Sequence, residues 1–554
     1  MYKTKKMKGS EFLIKEPNTD EVFIYEDFNE EQMMMYKATK DFIHSEISTN
    51  IEKIEKQEGT IVEDILKSAG ELGLLGVSIP ENLNGLGMSF NTSMLIADII
   101  GIAGSFGTTY GAHTGIGTLP ILYYGTEEQK KKYIPKLATG ELIGCYCLTE
   151  PTAGSDANSG KSKAKLSKDK SHYLLNGQKI WISNGGFADI HIVFAKIGRD
   201  KNHSAFIVDA KSKGISMGPE EVKLGIKGSS TRQIFYENVQ VPVENLLGER
   251  NGGFGIALNI LNIGRIKLCA SAIGGAKQLI EQTEKYISER KQFGLPIKEF
   301  GAIQQKMHRM LAKTFASESL MYRAGQDIEK RAEEVGTIDA TSEYAIECAI
   351  AKVHGSETLD YVVDEAVQCH GGMGYSAEYP IERAYRDSRI ARIYEGTNEI
   401  NRLMLIGQLF KKIKKKQIGI EGLVKQSYLS TIKFGKKSGK DLVKNHKILL
   451  GRLIYETYKK VGKNLLDPKK QQLLMSLADI LIEIYATESS LLRAEKTGKK
   501  EQVELANYYQ YESNKKVKQL ALEISDQLEG GTLLNIVINN LTKMSPFKPY
   551  TIKN

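Results

Sequence analysis

Apolar residues recur at intervals of three and four positions in two parts of the chain, and this spacing predicts helices in both. The first part spans residues 29 to about 139. Within it, helices are predicted over residues 63–75, 92–101 and 127–137. The second part begins near residue 255, and its predicted helices are longer, covering residues 255–292, 301–332, 342–370 and 399–412. Long helices with short connections are typical of an antiparallel bundle.

Between these parts, residues 142–250 contain short runs of β-branched and aromatic residues. Strands are predicted over residues 144–149, 172–183, 190–196, 205–209 and 232–241. Asn176-Gly177 and Asn184-Gly185 supply turn signals between them. Because strands and helices do not alternate along the chain, a Rossmann-type nucleotide domain is excluded. The glycines around Gly372 follow a predicted helix, so they are not that domain's phosphate-binding motif either.

Three further helices are predicted after residue 410, over residues 440–466, 469–497 and 502–528. The expected fold class is therefore α+β and mostly α. We expect five segments: an N-terminal extension (1–28), an N-terminal α domain (29–141), a middle β domain built as a barrel or sandwich (142–254), a helical bundle domain (255–410) and an additional C-terminal helical domain (411–554).

Charge is distributed unevenly over these segments. The formal net charge is +9, but residues 411–554 hold 28 Lys/Arg against 14 Asp/Glu, whereas residues 1–410 hold 48 against 53. A mildly acidic body with a basic tail excludes a uniformly basic nucleic-acid binder, and we expect no nucleic-acid partner. Residues 411–440 mix lysines with apolar residues, which suits either a solvated linker or a helix lying on an anionic membrane. The apolar residues include Ile420, Leu429, Ile432 and Phe434.

Cysteine content and the termini bear on the cellular compartment. Five scattered cysteines exclude a disulfide scaffold and favour a reducing compartment. Cys145 and Cys147 have no second ligand pair, so we expect them to alternate on a strand and expect no metal site. No apolar run approaches the length of a membrane span, and no apolar segment follows the N-terminal lysines. These features predict a cytoplasmic protein of bacterial type, with peripheral attachment at the inner face of the membrane as an alternative.

Three segments could carry chemistry, and each has a structural alternative. Residues 145–156 end a strand in a loop with the hydroxyls of Thr149 and Ser155, which could approach a polar ligand or form an ordinary turn. Trp181, the one tryptophan, could belong to the core or lie against a planar cofactor, with Ser183 on the same strand face. Glu395, followed by Gly and Thr, could belong to a helix cap or act as a positioned base.

Taken together, these segments resemble those of the acyl-CoA dehydrogenase family, and the resemblance covers nearly the whole chain. It rests on five segments in the family's order, namely residues 147–156, 181–186, 290–294, 368–374 and 393–399. Residues 261–265, residues 299–305 and the additional C-terminal domain resemble the very-long-chain branch in particular. The resemblance implies an FAD-dependent α,β-dehydrogenation of acyl-CoA in fatty acid β-oxidation, with electrons passed to an electron-transfer flavoprotein.

The resemblance also assigns roles to residues. Glu395 matches the base that removes the α proton while hydride leaves the β carbon for flavin N5. Some branches place the base immediately before the residue that matches Arg265, where this chain has Gly264, so Glu395 is the one matched candidate. The residues that match contacts to acyl-CoA are Ser155, Asn262, Arg265, Tyr394 and Gly396.

The remaining matches concern FAD. They are Tyr146, Cys147, Leu148, Thr149, Ser155, Trp181, Ile182, Ser183, Arg290, Gln292, Phe293, Gln368, Gly371, Gly372, Thr397 and Glu399. In the family, the group from Arg290 to Phe293 and the group from Gln368 to Gly372 reach the FAD of a neighbouring subunit, which implies at least a homodimer. An arginine suits that position because its guanidinium donates two parallel hydrogen bonds to a phosphate.

Chain length and competing functions complete these expectations. Residues 105–117 match the helix that forms the floor of the acyl pocket, and the small residues Gly111, Ala112 and Gly115 predict a deep pocket for long acyl chains. His113, which lies among them, is expected to be packed and is given no role. The alternatives are an acyl-CoA oxidase that uses O₂ and a scaffold protein of the same fold, which the retained Glu395 argues against. The related branch attaches to membranes through its C-terminal domain.

Overall fold

The computed structural model describes residues 7–431, 435–465 and 467–547. The chain forms two compact units. We call Asn29–Gly275 with Tyr375–Glu395 the sheet unit, and Met1–Phe28, Ala276–Gly374 and Gly396–Asn554 the helical unit. Each unit is described by itself. The five domain boundaries expected from the sequence remain a prediction.

The helices of the first half precede and follow the β region along the chain. They are α1 (Glu30–Phe42), α2 (Ile51–Glu55), α3 (Ile61–Glu71), α4 (Phe90–Ile100), α5 (Ser105–Gly111), α6 (Leu119–Tyr124), α7 (Glu127–Thr139) and α8 (Gly253–Glu289). A π-helical turn over Ala112–Gly117 follows α5. Local sequence explains α7: Thr126 and Gln129 form a reciprocal N-terminal capping box, and Gly140 ends the helix with a φ of 74°.

The β region forms one eight-stranded sheet, which confirms the predicted middle β region. Its strands are β1 (Gly144–Cys147), β2 (Lys163–Leu166), β3 (His172–Ser183), β4 (Ile190–Ile197), β5 (Ser204–Asp209), β6 (Ile215–Glu220), β7 (Thr231–Pro242) and β8 (Leu246–Leu247). The strand order is β6-β7-β3-β2-β4-β5-β8, and β1 pairs in parallel with β4. The buried faces of β4 and β5 supply much of the apolar core of the sheet.

Three strands of this sheet were not predicted. β2 carries only two apolar residues between lysines, β6 contains a glycine and a proline, and β8 is two residues long. None of them has the run of β-branched residues from which strands are predicted. They form because the long neighbours β3, β4, β5 and β7 offer them backbone hydrogen bonds.

The second half is helical apart from one hairpin. The hairpin strands are β9 (Lys291–Gln292) and β10 (Leu295–Pro296). The helices are α9 (Gly301–Val335), α10 (Thr337–Glu343), α11 (Ala345–His370), α12 (Gly372–Tyr375), α13 (Pro380–Ser388), α14 (Asn398–Lys414), α15 (Glu421–Leu429), α16 (Gly439–Val461), α17 (Gln471–Thr497), α18 (Lys500–Gln527) and α19 (Gly531–Leu541). Of these, α13 belongs to the sheet unit. The predicted long helices are confirmed, and α15 lies in the basic segment for which a helix was one alternative, whereas α12, α13 and α19 were not predicted.

One predicted boundary is wrong. The sequence pattern extends the first long helix to residue 292, but α8 ends at Glu289 and the chain turns into the β9–β10 hairpin. The turn is made by Phe293 and Gly294, whose φ angles are 51° and 82°. Two consecutive residues of positive φ are what a tight hairpin turn requires, and they cannot continue a right-handed helix.

The apolar helix α8 is, among the described residues, the one helix whose length and composition alone would let it cross a membrane. However, 61% of its most apolar window is buried inside the protein. Buried residues such as Ile260, Ile266 and Ile273 lie along much of its length. These features are those of a core helix of a folded domain.

The basic segment after residue 410 divides into described and undescribed parts. Ile420 is buried, and Leu423 lies against Gly451 of α16. Leu429, at the end of α15, is 63% exposed. The structure therefore packs one part of the predicted amphipathic segment on the protein and leaves the end of α15 at the surface. Ile432, Lys433 and Phe434 lie outside the described residues.

Candidate active site

Glu395 and Gly264 lie in direct contact in the sheet unit. Glu395 follows α13 and adopts a left-handed backbone with a φ of 57°. Gly264 belongs to α8, and a Cβ atom at this position would lie 2.7 Å from Oε2 of Glu395. That distance is shorter than a non-bonded carbon–oxygen contact, so only glycine leaves room for the carboxylate on this helix face. The structure thus places the predicted base at the helix position that the sequence left without a side chain.

Two predicted substrate residues lie next to Glu395, one in contact with its backbone and the other in contact with the first. Arg265 is 3% exposed, and its Nε donates to the carbonyl oxygen of Glu395 at 3.3 Å. The guanidinium also donates to Oδ1 of Asn262 at 2.8 Å. The arginine is therefore oriented by the asparagine one helical turn before it, and it holds the backbone of Glu395.

Two phenols share this environment. The Tyr146 hydroxyl is buried and has no hydrogen-bond partner among the described residues. Burial raises the pKa of Tyr146 well above its ordinary value, and the negative charge of Glu395 raises it further. Burial and Glu395 also raise the pKa of Tyr394, to about 12. Both phenols therefore stay neutral, and Tyr146 retains hydrogen-bonding capacity for a ligand.

The segment Tyr146–Thr149 and the segment Trp181–Ser183 lie side by side at the end of the sheet. The backbone N–H of Ile180 donates to the carbonyl of Thr149 at 3.0 Å. Cys147, Leu148 and Ile182 are buried and support the two segments from below. Trp181 faces outward, with 56% of its surface exposed and a φ of 58°.

Trp181 is therefore not a core residue, which removes the structural alternative raised for it. A register shift of the β3–β7 pairing between Lys179 and Ile182 produces its outward direction. Ser183 is partly buried on the same strand, and Ser155 is exposed in the loop after β1. The structure brings the two sheet segments together and leaves Ser155 on a separate loop.

The other predicted FAD residues belong to the helical unit. Arg290, Gln292 and Phe293 are exposed on the β9–β10 hairpin, with Phe293 95% exposed. Gln368 is exposed near the end of α11. Gly371 and Gly372 follow it, and a Cβ atom on either would meet no atom within 4 Å. The backbone there is open to close approach by a ligand.

Thr397 and Glu399 lie at the beginning of α14. The Thr397 hydroxyl accepts a hydrogen bond from the N–H of Ile400 at 3.2 Å, so this residue is the N-cap of the helix. Glu399 is exposed in the first turn. The cap that the sequence suggested as one alternative is therefore real, and it belongs to Thr397.

Sequence reasoning missed the residues that fix Gly396. The Nζ of the buried Lys352 donates to the Gly396 carbonyl at 2.8 Å and to Oδ1 of Asn398 at 2.7 Å. Asn401 donates to the same carbonyl at 2.8 Å. A lysine inside the otherwise apolar and small segment of α11 around residue 352 was the available signal, because a buried lysine needs acceptors.

The predicted floor of an acyl pocket, residues 105–117, is formed by α5 and by the π-helical turn over Ala112–Gly117. Gly115 is buried, yet a Cβ atom on it would meet nothing within 4 Å, so a cavity lies beside it. His113 is buried, accepts a hydrogen bond from the N–H of Gly144 at Nδ1, and lies 2.9 Å from the carbonyl of Leu137 through Nε2. Burial lowers its pKa to about 4, and the histidine is a packed structural residue, as expected.

Cys145 and Cys147 alternate on β1 as predicted, and both are buried. Their sulfur atoms lie 3.7 Å apart, with His191 of β4 beside them. Burial raises the pKa of Cys145 well above its ordinary value, so the thiol stays protonated. The expected absence of a metal site here remains a prediction.

The residues present fit a flavin. An outward-facing tryptophan offers a flat aromatic surface, and the unsatisfied Tyr146 hydroxyl offers a buried donor or acceptor. In the helical unit, the open backbone at Gly371 and Gly372 and the exposed guanidinium of Arg290 suit a phosphate-bearing ligand. These are the kinds of group that a dinucleotide with a planar ring system needs.

Comparison with known proteins agrees with this geometry. The family models "Acyl-CoA dehydrogenase, N-terminal domain", "Acyl-CoA dehydrogenase, middle domain" and "Acyl-CoA dehydrogenase, C-terminal domain" match residues 29–141, 145–239 and 251–410. A second model described as "Acyl-CoA dehydrogenase, C-terminal domain" matches residues 456–543. Fold and site together define an FAD-dependent oxidoreductase, and the chain belongs to the acyl-CoA dehydrogenase family.

Three similar proteins illustrate the match. A probable acyl-CoA dehydrogenase of Bacillus subtilis is 42% identical, over 98% of this chain and 95% of its own length. The mitochondrial very long-chain specific acyl-CoA dehydrogenase of Bos taurus is 36% identical, over 86% of this chain and 77% of its own. The crystal structure of an acyl-CoA dehydrogenase complexed with FAD from Bacillus anthracis superimposes with a TM-score of 0.93 at 44% identity, covering 98% of this chain and 96% of that one.

Proposed function

We propose that this enzyme oxidises long-chain acyl-CoA thioesters to trans-2-enoyl-CoA in fatty acid β-oxidation, with Glu395 as the base. The observation that carries the proposal is the contact between Glu395 and the side-chain-free position of Gly264, where other branches of the family place their base. Glu395 removes the α proton of the thioester. The chemistry supplied by bound FAD would be hydride acceptance at flavin N5, so that the hydride leaves the β carbon as Glu395 takes the α proton.

An ordinary carboxylate is a weak base for a carbon acid, so the protein must help. Hydrogen-bond donors aimed at the thioester carbonyl stabilise the enolate-like charge that develops there. The resemblance assigns one of these donors to the backbone N–H of Glu395. Arg265 fixes that residue by binding its carbonyl oxygen. The acyl chain excludes water from the site, which strengthens the carboxylate as a base.

The test uses the flavin colour. We expect purified enzyme to be yellow and to bleach on addition of palmitoyl-CoA without oxygen. Glu395→Gln should keep the colour, because the side chain is nearly isosteric, and should lose the bleaching, because an amide cannot take the proton. A colourless protein, or unchanged bleaching in Glu395→Gln, would refute the proposal. Asp200→Asn, at a surface ion pair of the sheet unit, is the matched control for a carboxylate-to-amide change.

We propose an electron-transfer flavoprotein as the electron acceptor. One solved structure similar to this chain is titled "Electron transferring flavoprotein of Acidaminococcus fermentans", and it matches at 34% identity with a TM-score of 0.64. Enzyme bleached by substrate should regain its colour rapidly on addition of such a flavoprotein and slowly in air. Rapid recovery in air alone would favour the oxidase alternative.

We also propose a homodimer whose interface includes the β9–β10 hairpin. Phe293 is 95% exposed and Leu295 is 51% exposed, which is unusual for large apolar side chains at a hairpin tip. Phe293→Asp should shift the protein toward monomer in sedimentation velocity and weaken FAD binding. Met34→Asp, another exposed apolar residue, serves as the control. An unchanged dimer in the Phe293 variant would show that the interface lies elsewhere.

The remaining proposal concerns location. We propose a cytoplasmic protein that attaches to the inner face of the membrane. Leu429 and Lys425 are exposed on α15, next to the basic segment that begins at Lys411. Full-length protein should float with vesicles containing anionic lipid, and Leu429→Glu with Lys425→Glu should reduce flotation. Lys500→Glu, on the exposed surface of α18, is the control for a lysine-to-glutamate change outside this segment. Equal flotation of all variants would exclude this segment.

A further inference from the structure

Lys179 of β3 has no exposed surface, and each proton of its ammonium group has an acceptor. The Nζ atom donates to the carbonyl of Leu148 at 3.1 Å and to the carbonyl of Phe194 at 2.7 Å. The third acceptor is Oε1 of Glu150, also at 2.7 Å. One side chain therefore joins β3 to β4 and to the segment that follows β1.

Glu150 is also buried, with 4% of its surface exposed. Its second oxygen accepts the backbone N–H of Lys161 at 2.5 Å, and Oε1 accepts that of Ser162 at 3.1 Å. Burial alone would raise the pKa of this carboxyl, but the ammonium of Lys179 holds it at about 2. The pair is thus ionised, hydrogen-bonded on both sides and closed to water, so neither partner can move alone without leaving an unsatisfied buried charge.

The pair lies between the two sheet segments assigned to the flavin ring. Leu148 belongs to the segment Tyr146–Thr149, and Trp181 is two residues beyond Lys179 on β3. Between them, Ile180 donates its N–H to the carbonyl of Thr149 at 3.0 Å. The bulge that turns Trp181 outward begins at Lys179.

Trp181 needs this support because its backbone is strained. A φ of 58° is unfavourable for a bulky aromatic residue and persists only where the surroundings fix it. Ile182 is anchored in the core on one side of Trp181, and Lys179 is anchored on the other. A buried ion pair contributes little net stability compared with apolar residues of similar size, so what this pair supplies beyond apolar packing is the fixed geometry of its hydrogen bonds.

We propose that Lys179, through Leu148 and Glu150, is a positioning residue that sets the segment Tyr146–Thr149 and the Trp181 bulge for the flavin ring. The inference rests on the proposed function only in taking these two segments as the flavin-facing ones. Lys179 and Glu150 touch neither substrate nor flavin in this scheme. They act through the residues that do.

The test uses the double variant Lys179→Met with Glu150→Gln. Removing both charges leaves a hydrogen-bonding amide and an apolar chain of similar length, so no unpaired charge remains in the core. Trp181 is the one tryptophan of the chain, so its fluorescence reports on this site alone. The readouts are FAD affinity by titration, quenching of Trp181 emission at saturating FAD, and acrylamide quenching of the apoprotein.

We expect the dissociation constant for FAD to rise about 10- to 100-fold, as is typical when residues that support a binding site are lost. We also expect weaker quenching of Trp181 at saturation and faster acrylamide quenching, with an unchanged far-ultraviolet spectrum. The control is Lys136→Met with Glu141→Gln, which removes an exposed pair of 2.7 Å in the same unit. That variant should behave as wild type.

Wild-type affinity together with wild-type Trp181 quenching in the double variant would overturn the proposal. Should the double variant fail to fold, the single variant Glu150→Asp decides, because it keeps both charges in the core and only shortens the carboxylate side chain by one methylene. We expect it to show the same changes to a smaller degree, and wild-type values in it would refute the positioning role. A wild-type protein that binds no FAD would instead refute the proposed function.

Discussion

The position of the Glu395 carboxylate depends on the missing side chain of its neighbour Gly264. The carboxylate lies against α8 where Gly264 has no side chain, and Arg265 holds its carbonyl oxygen. Tyr146 and Tyr394 stay neutral beside it, since burial and the carboxylate both raise the pKa values of the phenols. At the scale of single residues, the site therefore consists of the negatively charged carboxylate of Glu395, the cationic Arg265 and the uncharged groups packed around them.

Gly264→Ala should impair catalysis without removing FAD. The new Cβ would lie 2.7 Å from Oε2 of Glu395, so the carboxylate must move. Displacing a base by a fraction of an ångström to 1 Å lowers kcat by roughly 10- to 100-fold. Anaerobic bleaching rates measure the effect, and the flavin spectrum shows whether FAD is retained.

Gly255→Ala is the control for Gly264→Ala, because Gly255 is an exposed glycine of the same helix whose added Cβ would meet no atom within 4 Å. It should keep full activity and gain up to about 1 kcal/mol of stability from helix propensity. Full activity in Gly264→Ala would show that Glu395 is free to relocate.

At the scale of elements, two local structures interrupt stretches where the sequence predicts continuous helix. They are the π-helical turn over Ala112–Gly117 and the β9–β10 hairpin. π-helical turns are frequent at functional sites because the wider turn reorients side chains. Here the turn places the buried Gly115 beside a cavity and His113 in contact with the start of β1. The turn therefore joins the proposed acyl pocket to the sheet.

Gly115→Leu should shorten the preferred acyl chain. A leucine side chain would fill the space in which Gly115 has no neighbour within 4 Å. We expect kcat/KM for C16 substrates to fall about 10-fold or more, in line with the loss of several buried methylene groups of substrate. Activity on C4–C8 substrates, measured in the same series, is the internal control. An unchanged C4–C20 profile would place the acyl chain elsewhere.

At the scale of the whole molecule, the helical unit is held together by buried ion pairs as well as by apolar packing. Arg493 of α17 is 4% exposed and donates to Glu318 of α9 at 2.6 Å and to Glu26 of the N-terminal extension at 2.9 Å. Arg323 of α9 donates to Glu488 of α17 at 3.0 Å. These pairs tie the C-terminal helices and the N-terminal extension to the bundle helices.

Arg493→Met should destabilise the helical unit strongly. Removing the buried arginine leaves Glu318 with Lys277 at 2.9 Å as its remaining cationic partner and deprives Glu26 of its arginine, which costs up to about 3–5 kcal/mol. Thermal unfolding followed by circular dichroism measures the loss. Arg250→Met, at a 57% exposed arginine paired with Asp200, should cost at most about 1 kcal/mol. Equal effects of the two substitutions would contradict a stabilising role for the buried cluster.

The loss of folding stability at low pH should depend on Glu318. Burial raises the pKa of this carboxyl, but Lys277 and Arg493 lower it to about 2, below its ordinary 4.5. Its contribution is therefore present above pH 4.5 and is lost as the pH falls toward 2. Glu318→Gln should unfold more easily than wild type at pH 7, and the difference should shrink between pH 4.5 and 2. A difference in stability between wild type and Glu318→Gln that stays constant over this pH range would show that other groups cause the loss of stability in acid.

Local sequence patterns are enough to predict many of the helices and strands of this protein. The spacing of apolar residues predicted the long helices and the major strands, because periodicity reflects the faces that an element buries. The family resemblance of the motif around Glu395, together with the absence of a side chain at Gly264, made Glu395 the predicted base, and this role remains a prediction. Strands such as β2 and β6 could not be predicted, because neighbouring strands stabilise them and their own residues do not.

The tertiary structure decided the pairings between distant residues. Glu150 and Lys179 are 29 positions apart, and Glu318 and Arg493 are 175 apart. In the sequence each is an ordinary charged residue, which would usually be solvated. Folding buries both members of each pair, and only then does the cost of an unpaired charge make them positioning or stabilising residues. Sequence patterns were enough to predict the long elements and the motifs, because local periodicity and spacing carry them, whereas only the fold decided which charges hold these elements in place.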